Sequence, residues 1–292
     1  MGPVMLLDAF SLFFRAFYAL PTMNTTKGEP TSAVYGLSVL LLKLFRENRP
    51  AGAAFALDVG RTFRHRAYDA YKGTRTGAPS ALGAQMPRLH QLIGALGVPA
   101  LSSPDFEADD VLATVARELV AQGQAPLVVT GDLDCLQIAR GPARVLIVSR
   151  GTSKAEIYDE AAVRARFGVE PAELPHYRAL VGDPSDNLPG VHGIGGRGAA
   201  ALVKRFGTVQ RMLEGLDQVT PPRTREALAG AAAEVPLWAD LSRLRDEVPL
   251  PEGPRWAAID EAARTRLRAL FEELEFRSLA DRIDPAFAGA AI

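Results

Sequence analysis

Three apolar runs in this chain each lead into an aspartate within two residues, and that regularity constrains the fold more than any other feature. Residues 4–7 run into Asp8, 53–57 into Asp58, and 127–130 into Gly131 and Asp132, with Asp134 two residues on. A fourth apolar run covers 145–148. Short continuous apolar runs read as strands buried on both faces, and segments of helical period (32–48, 85–96, 107–122) lie between them. Strand and helix in alternation, with connections long enough for crossovers, predict a parallel sheet flanked by helices. In such a sheet the crevice beyond the carboxyl ends of the strands is where ligands bind. The pattern therefore delivers Asp8, Asp58, Asp132 and Asp134 to one edge.

More acids can reach that edge. Glu107-Ala108-Asp109-Asp110 opens a helix, where the unpaired N–H groups and the helix dipole favour negative charge. Asp183 and Asp186 stand three apart in Gly182-Asp183-Pro184-Ser185-Asp186-Asn187. Taken singly, an Asp after a strand is often only a turn or a helix cap; the joint arrangement carries the signal. Nine carboxylates in one pocket cannot all stay ionised without counter-charge. All-oxygen donors suit hard divalent cations such as Mg²⁺ or Mn²⁺, and a pair of such ions serves phosphodiester displacement. Net charge is −1, from 33 basic and 34 acidic residues. Setting the nine acids aside leaves the remaining surface basic, as a nucleic-acid enzyme requires.

Two further segments fit a polyanionic partner. From Asn187 to Leu213 the chain carries Arg197, Lys204, Arg205 and Arg211 and no acid. Within it, Gly193-Ile194-Gly195 precedes a small-residue helix, an arrangement that lets backbone N–H groups approach a phosphate, as a helix–hairpin–helix grips duplex backbone without reading sequence. Phe63-Arg64-His65 and Tyr68 to Arg75 interleave basic and aromatic residues, as single-stranded nucleic acid would use, and a Gly- and Pro-rich stretch follows. Lys72 and Arg75, three apart, would face a phosphate together if that segment is helical. Arg15, among apolar neighbours, would be buried or would line a pocket.

After about residue 158 the strand signal fades, and the rest reads as short helices over 160–167, 171–181, 198–206, 209–216, 223–232, 237–245 and 260–274. Residues 1–175 are expected to form the α/β core, with an insert at about 71–90. Residues 176–292 are expected to form a helical region containing the hairpin at about 183–206. With 48% apolar residues among 292, the chain has ample core, and no apolar run is long enough to cross a membrane. The first eight residues lack the basic start of a signal peptide. The one cysteine, Cys135, excludes an internal disulfide, and His65, His90, His176 and His192 have no zinc-ligand spacing.

Leu7-Asp8, Thr26 to Gly36, Phe63-Arg64-His65, Tyr71-Lys72-Gly73, Glu107 to Asp110, Thr130 to Asp134, Gly182 to Val191 and Gly193-Ile194-Gly195 run in an order that closely resembles the bacterial 5′-3′ exonuclease family. That family is the N-terminal nuclease domain of bacterial DNA polymerase I with its stand-alone relatives, among the flap endonucleases. The resemblance implies an α/β, PIN-like nuclease core with a mostly parallel sheet, followed by a helical helix–three-turn–helix region. It implies Mg²⁺-dependent cleavage at DNA 5′ ends, 5′ flaps and branched junctions, leaving 5′-phosphates, by a cytoplasmic, nucleoid-associated bacterial monomer. By position, Asp8, Asp58, Glu107, Asp109 and Asp110 resemble a first metal cluster, and Asp132, Asp134, Asp183 and Asp186 a second. Lys72, Arg75 and Arg15 match basic active-site positions. Gly193, Gly195, Arg197, Lys204, Arg205 and Arg64 would meet DNA, and the carbonyls of Val191 and Ile194 would bind K⁺. Ala9, Gly196-Arg197 and Cys135 depart from the family's usual residues, but no carboxylate is missing.

Two other readings stay open on the residues. A branched-DNA binding module without catalysis would keep the hairpin but has no use for all nine acids. A small-molecule phosphohydrolase would use Asp132 and Asp134 but leaves the acid-free basic hairpin without a task.

Overall fold

The computed structural model describes residues 2–75, 77–149 and 155–287. A six-stranded sheet in the order β3-β2-β1-β4-β5-β6 forms its centre. Strand β1 (Val4–Asp8) and helix α1 (Ala9–Ala19) come first, then α2 (Ser32–Asn48) and β2 (Gly52–Ala56). They are followed by α3 (Phe63–Ala67), α4 (Ser80–Gly83), α5 (Met86–Leu96) and the two-residue β3 (Ala100–Leu101). Next come α6 (Ala108–Ala121), β4 (Pro126–Thr130), β5 (Arg144–Val148) and β6 (Ala155–Tyr158). The first five strands are parallel; β6 runs antiparallel to β5. Strands β1, β2 and β4 are buried along their whole length, which explains their unbroken apolar runs. The predicted strand at 145–148 is β5, whereas β6 is largely exposed and carries no apolar run to reveal it.

The strand order reverses direction at β1, so the crevice between the carboxyl ends of β1 and β4 is the topological switch point. Register keeps these ends level: Asp8 pairs with Ala56 and Leu7 with Val129. Alternate residues of each strand feed two cores. Met5, Leu7, Phe55 and Val129 face α1, α2 and α5; Val4, Leu6, Ala54 and Val128 face α6 and the helices beyond residue 158.

Those helices are α7 (Glu160–Phe167), α8 (Leu174–Val181), α9 (Gly196–Phe206), α10 (Val209–Glu214), α11 (Pro222–Gly230), α12 (Val235–Ser242), α13 (Glu261–Glu273), α14 (Arg277–Ala280) and α15 (Ile283–Phe287). The helices of the expected 176–292 region divide between the two cores. Helices α8 to α12 lie on the α6 side, while α13 to α15 cross to the opposite face and pack against α5 and α2 through Leu267, Phe271, Ile283 and Phe287.

The 71–90 stretch, expected to be a loose insert, is anchored at both feet. Tyr71 is buried at one, and Leu82 and Gln85 at the other. Helix α2 has no side-chain cap of its own, and the Gln85 amide oxygen fills that role, accepting the N–H groups of Ala33 (2.8 Å) and Val34 (3.4 Å).

The turn that carries Asp183 and Asp186 is held by two glycines packed backbone to backbone. Gly182 (φ +86°) and Gly190 (φ +70°) leave no room for a side chain: a Cβ on Gly182 would stand 2.7 Å from the Leu188 carbonyl oxygen, and one on Gly190 2.5 Å from the Gly182 nitrogen. Gly182→Ala therefore combines a left-handed strain with a backbone clash. We expect it to lower unfolding free energy by about 2 kcal/mol or more in denaturant titration.

Candidate active site

Helix α1 starts where β1 ends because the Asp8 carboxylate caps it, its Oδ1 accepting the Ser11 N–H at 3.1 Å. The other oxygen accepts the Thr130 hydroxyl at 2.6 Å, and that hydroxyl in turn accepts the Asp132 N–H at 3.0 Å. One threonine at the end of β4 thus links the acids that follow β1 and β4. Asp58, beyond β2, accepts the Ala108 N–H at 2.9 Å and so meets the start of α6. Asp109, on the first turn of α6, accepts the Cys135 thiol at 3.1 Å. Among the described residues no ion pair joins Asp8, Asp58, Asp109 or Asp132 to a basic side chain. The cost of this shows in the proton affinity of Asp8 and Asp109. Burial, with Asp58 and Asp132 adding to it, pushes Asp8 up to about 7 against the bonds from Thr130 and Ser11. Asp109 is pushed well above the usual carboxylate range by burial and by Asp132, Asp8 and Asp58.

The remaining acids have counter-charges. The Lys72 ammonium lies 2.7 Å from Glu107 and 3.9 Å from Asp186. The Arg75 guanidinium lies 2.9 Å from Asp186. The buried Tyr71 hydroxyl donates toward Asp186 (2.8 Å) and Glu107 (3.1 Å), bridging the two. Burial works to raise Glu107, but Lys72 and Arg64 outweigh it and hold it below its ordinary value. Arg178, on α8, places Nε 2.9 Å from Asp134 and Nη1 3.8 Å from Asp183. Asp134 is still driven up to about 8, by burial and by Asp132, Asp183 and Asp186, with Arg178 opposing.

Two of the predicted site residues serve elsewhere. Arg64, expected at the DNA surface, is 2% exposed. It forms a two-pronged pair with Asp110 (2.6 and 2.8 Å) and donates to the carbonyls of Leu241 (2.8 Å) and Arg243 (2.9 Å). Asp110 is fully buried, and its oxygens are also taken by the N–H groups of Glu107 (3.1 Å) and Arg245 (2.8 Å). This acid closes a structural junction between α3, α6 and the chain leaving α12; it does not face the crevice. The aromatic-basic segment turns inward in part, with Arg66 and Arg75 left exposed. Phe63 packs under Arg64 and Arg245, Tyr71 is buried, and Lys72 has φ +54°, so Lys72 and Arg75 do not share a helical face. Arg15 does line a cavity of about 780 Å³ beside Gly131 and Leu133, and it donates to the Gly131 carbonyl. Sequence reasoning passed over Thr130, Tyr71's hydroxyl and Arg178. The one visible hint was a basic residue inside the apolar helix just before Gly182-Asp183.

In the hairpin, Val191 and Ile194 are buried and seat the turn, while Gly193 and Gly195 are exposed. Ile194 N–H donates to the Val191 carbonyl at 3.0 Å. Helix α9 buries Ala199, Leu202 and Val203, and turns Arg197, Lys204 and Arg205 to solvent. Among the described residues these three and Arg211 form no ion pair, which leaves an uncompensated positive face.

The chemistry of the crevice is that of an oxygen-only set with excess negative charge. Its members crowd closely enough to raise one another's proton affinity, yet among the described residues no three of them are gathered tightly enough to hold one ion as they stand. Cys135 is the one soft donor nearby; burial and Asp109 push its thiol well up, so it stays protonated. Such a set fits a hard divalent cation, which would supply the charge the protein leaves out.

Comparison with known proteins matches two stretches of the chain. The 5′-3′ exonuclease N-terminal resolvase-like domain matches residues 3–168, and the 5′-3′ exonuclease C-terminal SAM fold matches residues 169–265. DNA polymerase I of Mycobacterium tuberculosis is 39% identical over 290 residues, which is 98% of this chain and 32% of the polymerase. DNA polymerase I of Thermus thermophilus is 37% identical over 279 residues, 95% of this chain and 33% of that protein. The chain thus spans about a third of the length of the curated relatives it matches. Among solved structures, T5 5′-exonuclease with bound divalent metal ions (zinc) superposes with a TM-score of 0.67 at 17% identity, covering 97% of this chain and 99% of that one. The catalytic core of Rad2 in complex with DNA substrate gives 0.67 at 17% identity, covering 97% and 92%. At those identities the likeness is one of fold.

The raised acids set a pH dependence for the cation-free protein. A carboxyl whose folded value lies above its unfolded value contributes stability that is complete below the unfolded value and lost as pH climbs through the folded one. For Asp8 and Asp134 that loss falls between about 4 and 8. In chelator the melting temperature should therefore be several degrees lower at about pH 9 than at about pH 6, and excess Mg²⁺ should narrow the gap. Differential scanning fluorimetry at both pH values, with and without Mg²⁺, checks this.

Proposed function

The chain belongs to the 5′-3′ exonuclease family, and from that premise we propose that it is a structure-selective 5′ nuclease that cleaves DNA at 5′ ends, 5′ flaps and branched junctions. The observation that carries this reading is the pairing of two opposite excesses. Among the described residues, the sheet edge has buried acids that form no ion pair, and α9 has exposed cations that form none.

In this proposal Asp8, Asp58, Asp109 and Asp132 hold one divalent cation, Mg²⁺ or Mn²⁺. Asp134, Asp183 and Asp186, with Asp132, hold a second. When bound, such ions lower the pKa of water and neutralise phosphate charge. The protein's own groups do the rest. Thr130 orients Asp8 and Asp132 together. Tyr71 fixes Glu107 against Asp186. Lys72 and Arg75, held at the edge by those acids, are the cations nearest an incoming phosphate, and Arg15 lines a neighbouring cavity beside Gly131, toward β5, β6 and α7. Gly193, Gly195, Arg197, Lys204 and Arg205 grip duplex backbone, and the second lone pairs of the Val191 and Ile194 carbonyls are the candidate K⁺ ligands. The division near residue 175, a nuclease core before and a helical DNA-binding region after that also lends Asp183 and Asp186 to the crevice, belongs to the same proposal. So does action as a monomer in the bacterial cytoplasm. Among the described residues no helix is long and apolar enough to cross a membrane.

The test is cleavage of a labelled 5′-flap duplex with Mg²⁺ and with chelator. Asp132→Ala should lower turnover about a hundredfold or more while flap-DNA affinity in chelator stays near that of the parent. Unchanged turnover would remove Asp132 from the reaction, and cleavage in chelator would remove the cation. A separate measurement checks the grip. Arg197→Ala combined with Lys204→Ala should weaken duplex binding equally across sequences and flatten its salt dependence by about one to two units of log–log slope.

A further inference from the structure

Tracing counter-charges divides the acids at the edge into two sets. Asp8, Asp58, Asp109 and Asp132 form no direct ion pair among the described residues, although Lys72 and Arg75 act on Asp58 from further away, whereas every other acid of the crevice is paired directly. Among the partners of Asp134, Asp183 and Asp186 the most enclosed is Arg178, on α8, whose side chain is 15% exposed. Its Nε lies 2.9 Å from Asp134 Oδ1 and its Nη1 3.8 Å from Asp183 Oδ2. The other Asp183 oxygen is occupied by the Ser185 N–H (2.8 Å) and hydroxyl (2.7 Å), so Oδ2, beside Arg178, is the oxygen left to bind anything else. Asp186 is engaged in the same way by Arg75 and Tyr71.

We propose that Arg178 is a resident counter-cation that competes with a divalent ion for Asp134 and Asp183, so that this half of the edge loads an ion only when the guanidinium withdraws. The inference rests on the nuclease reading of the same edge. It follows from geometry and charge: a guanidinium at ion-pair distance from both carboxylates sets a positive charge beside their free oxygens, Asp134 Oδ1 having no hydrogen-bond partner among the described residues, and repels a second cation placed there. It also gives the withdrawal a cause. A phosphate entering the crevice offers Arg178 a two-pronged acceptor in place of the acids, and the acids are then released as substrate arrives. Ion loading of the two halves is therefore unequal without DNA and evens out with it.

The experiment is direct binding of Mn²⁺ to the DNA-free chain by isothermal calorimetry and electron paramagnetic resonance, independent of cleavage. The parent chain should bind one ion tightly and a second about tenfold or more weakly. Arg178→Gln should tighten the second by about tenfold while leaving the first unchanged. Two ions of equal affinity in the parent, or a second affinity within about twofold of the parent in Arg178→Gln, would overturn the proposal. Should Arg178→Gln fail to fold by circular dichroism, the parent crystallised in saturating Mn²⁺ decides. A second ion with Arg178 drawn away from Asp134 supports the proposal, and a second ion with the guanidinium still in place overturns it. Failure to bind any ion would sink the nuclease reading as well; ion binding that ignores the substitution would sink this inference alone.

Discussion

Repulsion between carboxylates at the mouth of a parallel sheet is the constraint around which this molecule is arranged. Strand order and register bring the ends of β1, β2 and β4 level, and the residues that follow them carry negative charge into a confined space. A hydrophobic substitute would serve stability better at any one of these positions, since a buried ion seldom recovers its desolvation cost. The fold tolerates the crowd by distributing remedies. Some acids are placed on N–H groups at helix starts, as Asp8 and Asp58 are. Others receive a cation from another part of the chain. A remainder stays uncompensated, and that remainder is where chemistry with a hard cation becomes possible.

The cations that answer the acids come from far away in sequence, and they tie the molecule together. Arg64 and Asp110 are 46 residues apart and close the junction where the helices after residue 158 rejoin the α/β core. Breaking such a pair from one side strands a buried charge, a far larger loss than the pair's net contribution. Lys72 and Tyr71 connect Glu107 at the head of α6 to Asp186 in the turn before the hairpin. The grip and the crevice are therefore linked mechanically through charged and hydrogen-bonded groups as well as through apolar packing.

Much of this was legible in the sequence because strands buried on both faces write themselves as apolar runs, and because three of them lead into acids. The acid-free hairpin was legible for a similar reason: a missing charge type is visible without coordinates. The partner assignments were not. Nothing in the spacing of Arg64 separates a guanidinium buried on Asp110 from one waiting on the surface for phosphate, and the aromatic residues around it suggest the wrong alternative. Nothing marks Arg178 as the neighbour of Asp134, because that contact is made by tertiary packing of α8. Strand β6 escaped because three of its four residues are exposed, and the crossing of α13 to α15 to the far face escaped because helical period says which side of a helix is buried, not against what.

The anchoring of the 71–90 stretch limits what its middle can span. Between the buried Tyr71 and the buried Leu82 lie only the residues numbered 72–81. Ten residues drawn out fully reach about 35 Å, and a path that must rise from one foot and return to the other uses that length twice over. Lys72 and Arg75 are themselves tied to Glu107 and Asp186, and α4 begins at Ser80, so the length free to rise is shorter still. The reach of this stretch is thus set by chain length between two fixed posts, requiring no further contact.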